Sequence, residues 1–293
     1  MNGIIVINKP LGKTSHDMVY FVRRLTGIKK VGHTGTLDPS ASGVLPVCVG
    51  NATKVCDLLT NADKMYRVSF VLGMTTDTLD ADGEILTEQP VNLTETEIKD
   101  AVFSFLGDIT QIPPMYSAVK VNGKKLYELA RAGITVERKE RHVTIKNIDI
   151  LDIDIKNYIV TMDVECTKGT YIRTLCEDIG QKLGVGAYVN TLERRKSGVF
   201  TIEDSLTFDE LLKLKEEGKL LEILRKPDSV FLDLPQVTVS KKQAGLVKNG
   251  VSIRVNGLLE NSLYRVYSED GEFLAVSHHM GGELKLQKPF WDR

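Results

Sequence analysis

The chain is short of the patterns that mark several functional classes. It has four cysteines (Cys48, Cys56, Cys166, Cys176) and five histidines (His16, His33, His142, His278, His279) in 293 residues. No Cys-x-x-Cys pair occurs, and no cysteine–histidine spacing fits a zinc site. His278 and His279 are adjacent, so their side chains point apart and make a poor chelate. No metal is expected, and no glycine-rich phosphate loop is present. Cys166 and Cys176 fall on apolar faces and read as buried free thiols. No apolar run approaches the roughly 18 residues of a membrane span. The run Ile4–Ile7 follows no basic segment and does not read as a signal peptide, so a cytoplasmic location is expected.

Net charge is also lacking: 38 Lys and Arg balance 39 Asp and Glu. A nucleic-acid partner must therefore meet positive charge concentrated locally. One such stretch runs from Lys120 to Lys146. It holds eight bases (Lys120, Lys124, Lys125, Arg131, Arg138, Lys139, Arg141, Lys146) and three acids (Glu128, Glu137, Glu140). On an arbitrary protein such a stretch is a solvated surface. The 42% hydrophobic and 26% charged content is that of a globular protein, long enough for two domains.

Periodicity supplies the elements. Gly3–Ile7 reads as a strand and Lys9–Ser15 as a loop. Ser15 then caps a helix carrying Met18, Val19, Val22 and Leu25, which ends near Gly27. Val44–Val49 and Tyr66–Leu72 read as strands, the second leading into a turn rich in Thr, Asp and Gly (Thr75–Gly83). Thr94 and Glu97 form a capping box for a helix with Ile98, Ala101, Val102, Phe105 and Leu106 on one face, stopping at Gly107. Val160, Met162, Val164 and Cys166 alternate with polar residues as in a half-buried strand. A helix with Ile172, Leu175, Cys176, Ile179 and Leu183 on one stripe follows, with Gly184 beyond its end. The order lacks a regular βαβ repeat, so an α+β fold is expected, with a mixed, largely antiparallel central sheet and flanking helices.

A second capping box, Thr207 and Glu210, opens a polar helix to Leu224. The Pro-containing stretch Arg225–Pro235 marks a domain boundary, dividing the chain into 1–230 and 231–293. Beyond it, Ser240 and Gln243 box a brief helix among short strands (Val237–Ser240, Val251–Val255, Leu263–Tyr267, Phe273–Ser277). Asn-Gly, Glu-Asn and Asp-Gly turns separate them, which suits a small barrel.

The densest signal lies at 32–54, where Gly32-His33-Thr34-Gly35-Thr36-Leu37-Asp38-Pro39 places one carboxylate between a glycine-bracketed turn and a proline. Pro39 suits a first helical position, which makes Asp38 an N-cap. This segment resembles the catalytic loop of the tRNA pseudouridine synthase B family, and the match runs over more than twenty consecutive residues. The resemblance implies an enzyme that isomerises the uridine at position 55 of the tRNA T-loop by base flipping, with Asp38 catalytic. The reaction cleaves N1–C1′, turns the uracil and rejoins it through C5. It has no net redox change, so no cofactor is expected.

The resemblance extends further. Gly169-Thr170-Tyr171-Ile172-Arg173-Thr174-Leu175 resembles the family's arginine motif, implying that Arg173 pairs with Asp38. Tyr66 resembles the active-site tyrosine on which a flipped uracil stacks. Leu192 matches a pocket-lining residue, and His33 a loop histidine that contacts displaced bases. Glu193 interrupts the family's Leu-Arg-Arg pattern and leaves Arg194 and Arg195 as alternatives for RNA contact. Lys9-Pro10-Leu11-Gly12-Lys13-Thr14-Ser15 resembles a structural motif supporting the catalytic loop. Gln111–Lys120 matches the start of an insertion, about 108–146, that closes over the T-loop. RNA contacts are accordingly expected from His33, Lys64, Lys120, Lys124, Arg131, Arg141 and Arg194, and from a PUA-like domain at 231–293. The implied partner is the T-loop and T-stem of tRNA, met by a monomer that requires no protein partner. Two alternatives are a non-catalytic tRNA-binding or folding protein and an RNA-guided relative.

Overall fold

The computed structural model describes residues 1–121 and 123–291. The alternating strands assemble into a nine-stranded sheet. Along its main path the order is Gly3–Lys9, Ala41–Val49, Ala187–Ser197, Lys64–Leu72, Ile159–Cys166, Arg141–Asp154 and Gly107–Gln111. Val31–His33 pairs with Ala41–Val49, and Phe200–Thr201 with Ala187–Ser197. All pairings are antiparallel except one, where Ala187–Ser197 runs parallel to Ala41–Val49 with Arg194 opposite Gly43. Gly43 has φ 104°, and a Cβ there would lie 2.3 Å from the Arg194 carbonyl oxygen, so only glycine fits this crossing. No helix is long and apolar enough to cross a membrane among the described residues.

The helix Ile172–Lys182 packs its apolar stripe on this sheet, with Leu175, Cys176 and Ile179 fully buried. Its Gly180 is forced by proximity, since a Cβ would meet the Ala187 amide nitrogen at 2.4 Å. Truncating a buried Leu or Ile in this layer costs about 2–5 kcal/mol.

Several expectations need correction. Thr14, not Ser15, caps the first helix (Ser15–Thr26), because Asp17 sits three residues beyond Thr14 and closes the box from both sides. The polar helix is Phe208–Glu216 and ends well before Leu224, at Gly218 with φ 72°. Gly107–Gln111 and Arg141–Asp154 pair with each other inside the main sheet, so the segment that leaves it spans only 112–140.

Downstream of 235, Gln236–Val239, Ser262–Ser268, Phe273–Met280, Glu283–Pro289 and Ile253–Arg254 form a five-stranded, half-barrel sheet in that order. The strand Glu283–Pro289 was not evident from periodicity. The stretch 225–235 is no loose linker. Arg225 exchanges backbone hydrogen bonds with Ile4, and Val230 and Phe231 are buried in a cluster that also holds Val44, Val276 and Phe290. The two sheets thus share one apolar seam.

Candidate active site

Asp38 lies in the connection from Val31–His33 to Ala41–Val49. The expected helix at Pro39 does not form: residues 38–41 make a turn closed by the Ala41 amide donating to the Asp38 carbonyl at 3.1 Å. Asp38 is therefore no N-cap, and its carboxylate is left for other partners. Gly35 takes φ 116°, as a tight turn requires, whereas Gly32 is a strand residue whose added Cβ would press on Cys56 Sγ at 3.4 Å. The buried Ser15 hydroxyl pins the loop, accepting from the Leu37 amide at 2.8 Å and donating to the Leu37 carbonyl at 3.1 Å.

Arg173 reaches this loop from the first turn of Ile172–Lys182. The helix start is fixed by Gln111, whose side-chain amide donates to the Tyr171 carbonyl (3.1 Å) and accepts from the Tyr171 amide (3.0 Å). The guanidinium is 6% exposed and meets the Asp38 carboxylate, 39% exposed, at 2.7 Å from Nη2 to Oδ2. Nη2 also donates to the Tyr116 carbonyl and Nη1 to the Thr78 carbonyl, both at 2.7 Å. Asp38 Oδ1 accepts no hydrogen bond among the described residues, which leaves one carboxylate oxygen available for chemistry.

Sequence reasoning missed Asp80, which lay within what read as a plain Thr/Asp/Gly turn. It is buried, 3.5 Å from Arg173 Nη1, and accepts from the Ser40 hydroxyl (3.1 Å) and the Thr78 hydroxyl (2.6 Å). It therefore links the guanidinium to the loop that carries Asp38. The only signal was a turn richer in carboxylates than turn geometry requires. Tyr116, in the 112–140 segment, contributes its carbonyl to the same guanidinium.

Asp38 and Arg173 stand between two cavities. One, of about 400 Å3, is walled by Tyr66, Leu192, Lys64, Arg194, Arg141 and Tyr171. The other, of about 700 Å3, includes His16, His33, Tyr116, Lys125, Tyr127 and Arg131 in its wall. Tyr66 and Arg194 are direct cross-strand partners. Burial pushes the Tyr66 hydroxyl above its ordinary pKa, the Arg194 charge and its hydrogen bond opposing, so the phenol stays neutral. Burial, reinforced by the Arg194 charge, depresses the His33 pKa and keeps the ring neutral at pH 7.

Two expected RNA contacts are not on the surface. Lys64 is buried, and its ammonium donates to the carbonyls of Leu59 (3.1 Å), Thr60 (2.7 Å) and Ala62 (2.6 Å) at the end of the short helix Cys56–Asn61. Arg194 is 1% exposed and donates to the Val44 carbonyl at 2.7 Å and the Gly35 carbonyl at 3.3 Å, bracing the loop from beneath. Both line the cavity of about 400 Å3 from below, each anchored to backbone carbonyls. Arg195 pairs with Glu193 (3.0 Å) and Glu203 (3.4 Å). Arg141 and Arg131 are exposed at the mouths of the two cavities, while Lys120 and Lys124 are exposed on a two-stranded hairpin outside either wall. Lys9 is wholly buried, donating to the carbonyls of Pro10 (2.9 Å) and Lys13 (2.7 Å), and burial lowers its pKa to about 8.

Comparison with known proteins bears directly on this geometry. The description "TruB family pseudouridylate synthase (N terminal domain)" matches residues 23–172. "tRNA pseudouridylate synthase B C-terminal domain" matches 173–231, and "Pseudouridine synthase II TruB, C-terminal" matches 235–285. The chain is 47% identical over 294 residues to a tRNA pseudouridine synthase B of Clostridium perfringens, covering 98% of each. It is 48% identical over 266 residues to that of Geobacillus thermodenitrificans, covering 89% of this chain and 88% of the relative. Among solved structures, the fold resembles a chain of a Cbf5-Nop10-Gar1 complex with a TM-score of 0.75 and 28% identity, over 99% of this chain and 85% of that one. A chain of an H/ACA RNP bound to a substrate RNA containing 2′-deoxyuridine also gives a TM-score of 0.75, at 26% identity. The chain belongs to the TruB family of pseudouridylate synthases.

Proposed function

We propose that this enzyme, which converts uridine in tRNA to pseudouridine, acts on the uridine at position 55 of the T-loop. In this reading Asp38 is the catalytic group and the target base is flipped into the cavity beside it. The observation that carries the reading is the 2.7 Å contact between Arg173 and Asp38 at the wall of a cavity of about 400 Å3. That volume suits one extruded nucleotide. Tyr66 offers a ring to replace lost stacking, and Leu192, on the same face of the neighbouring strand, adds apolar surface beside it.

Asp38 begins the reaction through its unbonded oxygen, in contact with the ribose or base of the target, while Arg173 holds the other oxygen. The N1–C1′ bond breaks and the uracil turns within the pocket. C1′ then bonds to C5, C5 gives up its proton, and N1 gains one, so atoms balance without a cofactor. The neutral Tyr66 hydroxyl is placed to take part in the late proton transfer.

T-loops display splayed bases on a compact frame, a form of RNA recognised by shape and stacking. His33, Arg131 and Arg141 at the cavity mouths, with Lys120 and Lys124 on the neighbouring hairpin, are the groups we assign to it, and the half-barrel sheet to more distant tRNA contacts. Catalysis by a cytoplasmic monomer without a protein partner completes the reading.

The test is purified chain, unmodified tRNA transcript and buffer, with the product mapped by nucleotide. Pseudouridine at position 55, absent with Asp38→Asn, is the expected result. Modification elsewhere overturns the site assignment, and no product without a guide RNA favours the RNA-guided alternative, which the resemblance to H/ACA assemblies keeps in view.

A further inference from the structure

The first helix and its continuation carry charge that the catalytic centre does not use. Residues 1–37 hold six bases and one acid, Asp17. That acid is engaged in the capping box, where it accepts from the Thr14 amide at 2.8 Å and the Thr14 hydroxyl at 2.7 Å. Lys9 is buried, but Lys13, Arg24, Lys29 and Lys30 are exposed and Arg23 is half-buried. Some surface cations elsewhere are ion-paired, as in Lys146–Asp63, Arg225–Asp204 and Lys248–Glu272. Among the described residues, no carboxylate forms an ion pair with Lys13, Arg23, Arg24, Lys29 or Lys30. An unneutralised cluster of this kind on a chain of net charge −1 is a local positive field.

Its placement gives that field a direction. His16, one residue into Ser15–Thr26, lies in the wall of the 700 Å3 cavity beside Asp38. Tyr20, one turn on and 53% exposed, meets the His16 ring edge-on at 4.8 Å between centroids. The Arg23 guanidinium lies 5.6 Å from the centre of the Tyr20 ring. Arg24 follows on the helix. After the turn at Gly27 come Lys29 and Lys30, from which Val31–His33 leads straight back to the cavity wall.

We infer that the exposed face of Ser15–Thr26, extended by Lys29 and Lys30, is a track for the phosphodiester backbone of the tRNA where it leaves the catalytic cavity. Positive charge that no carboxylate pairs fits a polyanion, Lys30 donating to the neutral Asn51 side-chain oxygen at 3.2 Å, and His16, Tyr20 and Arg23 give the near end of the track its shape. The inference rests on tRNA as the substrate, but it is tested by binding rather than by product.

The experiment measures the affinity of the full chain for unmodified tRNA across a series of KCl concentrations, for wild type and for Arg24→Gln/Lys29→Gln/Lys30→Gln. Each lost phosphate contact lowers the slope of log Kd against log salt by about 0.7–0.9. The triple variant is expected to flatten it by about 2 and to bind at least tenfold more weakly near 0.1 M salt, with its melting transition unchanged. Lys156→Gln, at an exposed turn of the far hairpin, serves as control. A slope within about 0.5 of wild type and an affinity within twofold overturn the track, as does an equal loss in the Lys156 control. If wild type forms no pseudouridine while the triple variant still loses slope and affinity, the catalytic reading fails and the track stands.

Discussion

Replacing Arg173 by lysine probes the pairing most directly, because charge is kept while geometry is lost. The guanidinium spans two sides: Nη2 serves Asp38 and the Tyr116 carbonyl, and Nη1 serves the Thr78 carbonyl and faces Asp80 at 3.5 Å. A single ammonium nitrogen cannot occupy both positions, so one side is abandoned. A hydrogen bond involving a charged group is worth about 1.5–3 kcal/mol, and an acceptor left buried without a donor adds to the loss. If the ammonium settles near Asp80 and Thr78, Asp38 loses its only guanidinium contact and its fixed orientation. About 3 kcal/mol of that loss falling on the transition state corresponds to about two orders of magnitude in rate.

The assay is single-turnover release of tritium from tRNA labelled at uracil C5, since C5 must part with its hydrogen once bonded to C1′. Saturating enzyme separates chemistry from binding, and a thermal melt confirms that the fold survives. Because Arg173 and Asp38 act as one unit, adding Arg173→Lys to an Asp38→Asn background is expected to cost little more than Asp38→Asn alone. A lysine variant within threefold of wild type would refute the pairing. Strictly additive losses in the double variant would refute the coupling.

Three further changes test the neighbouring groups. Tyr66→Phe keeps the ring and removes the hydroxyl, so tritium release should slow by about a hundredfold with tRNA affinity within threefold of wild type; undiminished release assigns the residue to stacking alone, and Tyr66→Ala should lose affinity as well. Asp80→Asn preserves shape but removes the buried negative charge facing Arg173, and about a tenfold loss of single-turnover rate is expected; an unchanged rate would show that Asp38 alone fixes the guanidinium. Asp178, pushed up to about 6 from 3.8 by burial and the neighbouring Glu177, binds a proton more readily folded than unfolded, so its contribution is retained at acid pH and lost as pH rises through 6. The shift alone corresponds to about 3 kcal/mol, and screening of this partly exposed group reduces it to about 1 kcal/mol. Asp178→Asn should thus raise the unfolding free energy at pH 7.5 by about 1 kcal/mol and leave it unchanged near pH 4, as read by denaturant titration.

What the sequence made legible was local. The capping boxes at Thr94–Glu97, Thr207–Glu210 and Ser240–Gln243 form as expected, because each is a reciprocal contact across three residues. The stripe of Ile172–Lys182 was readable for the same reason. The juxtaposition of Asp38 and Arg173, 135 residues apart, came from resemblance rather than from spacing. Asp80 was hidden because a carboxylate in a turn is usually solvated, and only the fold brings a guanidinium to it. Asp38 was misread as a helix cap because Pro39 suits a helix start, yet the turn at 38–41 leads directly into a strand. Lys64 and Arg194 were expected as RNA contacts, and their burial was not legible because long cations usually stay exposed.

That last misreading bears on how the pocket works. Lys9, Lys64, Arg173 and Arg194 are all buried around or beneath one loop, and between them they engage carbonyls of Pro10, Lys13, Leu59, Thr60, Ala62, Val44, Gly35, Thr78 and Tyr116. Backbone oxygens replace water as the solvent for these charges, at a desolvation cost visible in Lys9 and Lys64, each lowered to about 8. Cations held this way cannot swing out to grasp a phosphate, so their field is fixed in direction before any RNA arrives. Such preorganised charge stabilises an anionic group in the cavity without reorganising during the reaction. In the proposed reading, the fixed cations beneath Asp38 orient the reacting centre, and the exposed Arg131 and Arg141 at the cavity mouths are left to contact the RNA.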